Sequence, residues 1–197
     1  MTVLSRPLHP ITSKALEIAR AWCAGHVIDG APALGHAVRV ALKLGEHVPD
    51  APPELVAAVL LHDAPEFAPP GEDLDATLTD WLGAGVVRVV RALEQEHQAL
   101  ADQAEPAMPT DDPSTLCGSW TLHASAADKI VSLTSILRRA AAADDPDAYW
   151  RERRPFVALL PYLRTFHTVS APHLPATMTS ELGNLVTIAE RMTGSVG

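Results

Sequence analysis

Cysteine is nearly absent from this chain: Cys23 and Cys117 are the two thiols in 197 residues. Two thiols cannot build a disulfide framework or a thiolate zinc site, so both read as buried or free. Aromatic residues are scarce as well, at 5%, and the 47% hydrophobic content is carried mainly by Ala, Leu and Val. That mixture favours helices over strands. Basic charge is in deficit, with 15 Lys and Arg against 24 Asp and Glu and a formal net charge of −9. A general nucleic-acid binder neutralises phosphates with Lys and Arg, so the composition argues against that class. No apolar run approaches the ~18 residues that cross a bilayer. Residues Met1–Pro10 also lack the charged-then-apolar layout of a signal peptide. These readings point to a cytoplasmic protein without a membrane partner.

What is present is helical periodicity punctuated by Pro and Gly, with no alternating strand pattern of useful length. The expected fold is all-α, a single helical domain over residues 1–197 with at most an incidental hairpin. A first helix is expected from a cap at Thr12 or Ser13 to about Cys23, then a loop from Gly25 to Gly35. Helices follow over Leu34–His47, Glu54–Asp63, Asp75–Leu82 and Gly85–Gln103. Residues 104–118 read as an exposed connection before a strong helix over Ser119–Ala143. A stretch over Tyr149–Thr168, limited by Pro155 and Pro161, and a last helix over Ser180–Met192 complete the chain.

The chemistry-bearing residues lie at the inner ends of apolar stripes. His62 continues the face Leu55, Ala58, Val59 at spacings of three, four and seven. Asp63 projects about 100° from it, so one cation can touch both side chains. His36 shares a face with Val40 and Leu44, and a buried imidazole needs a polar partner. Asp128 joins Ser125, Ser132 and Ser135 on a small, polar stripe opposite Ile130, Leu133 and Leu137. Two imidazoles and two carboxylates from three helices make a mixed N/O set suited to Mn²⁺, Fe²⁺, Zn²⁺ or Ni²⁺. Glu66, three residues beyond Asp63, is placed to handle a proton of water or leaving group. His26 and His123 lie close enough in sequence to meet a phosphate. His9, His47, His97, His167 and His173 read as surface or packing residues.

The ordered set His36, His62-Asp63 and Asp128 resembles the HD superfamily of metal-dependent phosphohydrolases, over roughly Ala19 to Arg139. Within it the chain is most similar to the hydrolase domain of Rel/Spo-type enzymes and their small single-domain relatives. Gly30-x-Pro32-xxx-His36, Val59-Leu60-Leu61-His62-Asp63-x-x-Glu66 and Ala127-Asp128-Lys129-Ile130 carry that likeness. The resemblance implies a bound Mn²⁺ and a small phosphorylated substrate, a nucleotide of the (p)ppGpp type. It also implies that Ser132 and Ser135 face the substrate, standing where the family has Asn and Thr. Phe67 stands where the family places an Asp after the Glu. Val27 and Ile28 stand where it places two cations that grip guanine and phosphate. Lys129 or His26 is the candidate replacement cation. A nucleoside-monophosphate phosphatase of the 5′-deoxynucleotidase type, or a non-catalytic nucleotide-binding module, remains open beside the pyrophosphohydrolase reading.

Overall fold

The computed structural model describes residues 2–5, 7–28, 30–102 and 114–194. The expected connection over 104–118 falls largely outside them. The fold is all-α: among the described residues there are eleven α-helices and one two-stranded hairpin. Contacts group the chain into two compact units, residues 1–127 and 128–197, where the composition shows no break. The division falls inside one uninterrupted helix, which explains why no linker announces it.

The first unit begins with α1 (Pro10–Trp22). It starts earlier than the Thr12 cap predicts, because Pro10 occupies the first turn and the His9 ring accepts from Ile11 N. The hairpin β1 (Val27–Ile28) and β2 (Ala31–Pro32) follows, antiparallel, with Val27 opposite Pro32. Gly30 closes its turn at φ +77°, a conformation that costs glycine little. Next come α2 (Ala33–His47), α3 (Pro53–Leu60), α4 (Ala64–Phe67), α5 (Leu74–Leu82) and α6 (Ala84–Ala101). Asp73 caps α5 by accepting from Ala76 N at 3.0 Å. Gly83, at φ +91°, ends α5 and turns the chain into α6.

Helix α3 is the centre of this unit. Every residue from Leu55 to Leu60 is buried, and α1, α2 and α6 pack around it. A helix apolar all round belongs in a core. Burying each of its Leu and Val side chains contributes on the order of 1.5–3 kcal/mol. Helix α7 (Leu116–Ala141) enters the unit with its first half, Leu116–Ala127. There Ser125 Oγ donates to both carboxylate oxygens of Glu96 on α6, at 2.8 and 3.1 Å, with both residues buried. That buried polar contact sets the register of α7 against α6.

The second unit holds the rest of α7, then α8 (Pro146–Glu152), α9 (Arg154–Ala158), α10 (Leu160–Ser170), a 3₁₀ turn over Ala171–His173, and α11 (Ala176–Thr193). The single stretch expected over Tyr149–Thr168 is thus three helices. Pro155 and Pro161 lack the N–H and clash with the carbonyl four residues back, so each restarts a helix in its first turn. Trp150, Phe166, Met178 and Leu182 are fully buried. Arg164 on α10 grips Glu190 on α11 through two guanidinium nitrogens.

Candidate metal centre

Helix α3 was expected to run to Asp63, but it stops at Leu60. Pro65 is the cause: in a continued helix its ring would strike the Leu61 carbonyl and remove the bond from residue 65 to residue 61. His62 and Asp63 therefore occupy the tight turn between α3 and α4. Short-range backbone bonds from Leu61 N to Ala58 O and from Ala64 N to Leu61 O, at 3.1 and 2.9 Å, close that turn.

His62 is 2% exposed, and its Nδ1 lies 2.7 Å from the Val59 carbonyl oxygen. A carbonyl can only accept, so Nδ1 carries a proton and Nε2 is the nitrogen that faces the site. This is the outer contact that orients a ligating imidazole and fixes its tautomer. The His36 ring on α2 is buried and stands 5.2 Å from the His62 ring, centroid to centroid. Asp128 follows Ala127 in the same unbroken helix, α7, and is 9% exposed. One ligand atom each of His36, His62 and Asp128 lies within 4.8 Å of the others. Ser132, one turn further, donates to Asp128 Oδ1 at 3.3 Å and orients it.

The fourth expected ligand, Asp63, stands beside this trio and not within it. Its Oδ2 is 3.1 Å from His62 Nε2, and its Oδ1 is 3.8 Å from His97 Nδ1. Oδ2 is buried and makes no hydrogen bond among the described residues. A carboxylate oxygen and a ring nitrogen at that distance need a positive charge between them, which a proton or a metal ion supplies. The buried N,N,O set with this adjoining carboxylate therefore fits a divalent transition ion.

Beside these residues opens a half-open pocket of about 310 Å³, lined by Asp63, Glu66, Glu94, His97, Gln98 and their neighbours. Glu66 on α4 is exposed at its edge, as its place after the turn suggests. His97 on α6 was assigned to the surface or to packing, yet it lines this pocket with its ring 5.9 Å from that of His62. The signal was present: Val86, Val90, Leu93 and His97 form the same kind of apolar stripe that singles out His62.

Of the residues expected to face substrate, His26 shares a unit with the pocket and does not line it. His26 is exposed and stacks on Phe67 at 4.5 Å. Lys129 is 5% exposed, with its ammonium 4.5 Å from the Phe166 ring and 5.5 Å from that of Tyr162. Ser132 serves Asp128, and Ser135 is half-buried on the same helix. His123 Nδ1 bonds to the Ser119 carbonyl of its own helix at 2.6 Å.

Phe67 turns away from the pocket into a small core with Cys23 and Ala33, against which Trp22, Ile28 and Leu34 pack. Ile28 is thus a packing residue, while Val27 is 62% exposed. Burial, and then the nearby Asp63 charge, push the Cys23 thiol up to about 11. The chain matches no protein-family model, and no curated protein is significantly similar to it.

Proposed function

We propose that the chain is a metal-dependent phosphohydrolase of the HD type acting on a small phosphorylated nucleotide. The convergence of His36, His62 and Asp128 beside a pocket containing Asp63 and Glu66 carries this reading. His36, His62 and Asp128 would hold the ion, with Asp63 beside them as the carboxylate that a small shift would bring in. A divalent ion bound there, Mn²⁺ by the HD resemblance, would polarise a phosphoryl oxygen and lower the pKa of water.

The chain's own residues supply the rest. The Val59 carbonyl accepts from His62 Nδ1 and so orients the ring with Nε2 toward the site. Glu66 takes the proton of the attacking water or returns one to the leaving oxygen. Leu60, Leu61 and Ala64, all buried, keep bulk water from the inner side of the site. Phe67 is committed to the core, so acid–base work falls to Glu66, with His97 across the pocket as the other group positioned to meet substrate.

The test is metal content and phosphate release measured on the same preparations of wild type and Asp128→Ala. The wild type should copurify with or take up one transition ion and release phosphate or pyrophosphate from nucleotides. Asp128→Ala should lose both properties together. Full activity in reconstituted Asp128→Ala overturns the assignment. Stoichiometric metal without turnover of any nucleotide points instead to the non-catalytic nucleotide-binding module.

A further inference from the structure

We infer that the pocket selects a phosphate monoester whose alcohol part donates hydrogen bonds and carries no second anion, and that Glu94 makes the selection. The inference rests on the phosphohydrolase reading of the adjoining site and names its substrate class. Carboxylates stand on both walls of the pocket: Asp63 and Glu66 on the α4 side, and Glu94 on α6. No Lys or Arg is among its described lining residues.

Glu94 is fixed in place. Its Oε2 accepts from Arg91 Nη1 at 2.6 Å, and its Oε1 accepts from Gln98 Nε2 at 3.3 Å. Each oxygen keeps a lone pair to offer a ligand. Arg91 is itself held between two carboxylates, donating through Nε to Asp75 at 2.8 Å as well as to Glu94. It is therefore committed to the wall and is not a phosphate receptor.

With the transferred phosphoryl group at the His62–Asp63 end, the alcohol part lies along Glu94, His97 and Gln98. Hydroxyl or amine donors there meet a fixed acceptor. A second phosphate there meets Glu66 and Glu94 at close range in a partly water-excluded space, where like charges repel strongly. The volume, about 310 Å³, lies at the lower end for small-ligand pockets. The exposed Val27 and the packed Ile28 add no cation on the hairpin side.

The experiment compares AMP with ADP and with a 3′,5′-bisphosphate at saturating Mn²⁺, in wild type, Glu94→Gln and Glu94→Lys. Circular dichroism and thermal melts confirm that each variant is folded. The wild type should favour AMP by at least about tenfold in kcat/KM. Glu94→Lys should bring the ratio near unity, chiefly through KM, with Glu94→Gln between. Equal use of ADP by the wild type, or an unchanged ratio in folded Glu94→Lys, overturns the inference. Isothermal titration of AMP and ADP into metal-free protein separates it from the reading on which it rests. If no ester is hydrolysed, the phosphohydrolase assignment falls. Tighter binding of AMP than ADP, erased by Glu94→Lys, still upholds the selector, and equal binding removes it.

Discussion

Replacing His62 by Ala separates the structural from the metal-binding part of this site. The imidazole is 2% exposed and its Nδ1–H bonds to the Val59 carbonyl at 2.7 Å. Its removal opens a small cavity and takes a donor from that carbonyl, which costs about 1–3 kcal/mol. The Val59 oxygen keeps the weaker approach of His62 N at 3.5 Å, which places the loss toward the lower end of that range. A second effect appears only with metal. An ion that binds the folded state alone stabilises it by about 2.7 kcal/mol when present at 100-fold its Kd. For a chain of this size each kcal/mol moves the melting temperature by roughly 2–4 °C, so saturating Mn²⁺ should raise the wild-type transition by about 5–11 °C. The assay is a pair of calorimetric scans, one in chelator and one in Mn²⁺. His62→Ala should melt a few degrees lower in chelator and show no metal-induced rise. A full metal shift in His62→Ala would refute the placement of the ion at Nε2.

Other expectations can be checked with ordinary preparations. Asp128→Ala should lose bound metal and phosphate release together, read by elemental analysis and a phosphate assay. Glu66→Gln should keep the ion yet lose on the order of 10²–10⁴ in rate, the range for a removed acid–base group. Metal loss in that variant contradicts a role in proton handling. Cys23, buried and with its pKa near 11, should resist alkylation at pH 8 in the native protein, while the half-buried Cys117 reacts first in peptide mapping. The Arg164 hydrogen bonds hold the Glu190 carboxyl below its ordinary pKa. A depressed carboxyl stabilises the fold above its unfolded pKa and loses that contribution as pH falls through the folded one. Both partners are well exposed, so the effect should stay within about 1 kcal/mol. It should vanish from acid melts of Arg164→Met.

Local rules read from the sequence account for the helical class and most element positions. The apolar stripes over α2, α3 and α6 mark inward faces, and Gly and Pro mark their ends, because helical periodicity and backbone sterics act within a few residues. The same stripes place His36 and His62 inward, and the small, polar stripe of α7 marks Asp128. Proline effects are local too, and here they outweigh the helical periodicity around them. Pro65 ends α3 before the His62-Asp63 pair, and Pro155 and Pro161 divide one expected helix into three. Only the tertiary structure decides which inward faces meet. Packing of α6 against α3 and α4 brings His97 and Glu94 to the pocket, residues far from Asp63 in sequence. The buried Glu96–Ser125 contact sets the first part of α7 against α6, two segments 29 residues apart. The hairpin folds over Phe67, which makes its position a core position and leaves the pocket to carboxylates and imidazoles. Such outcomes depend on complementary surfaces between segments dozens of residues apart, a property that no window of the sequence contains.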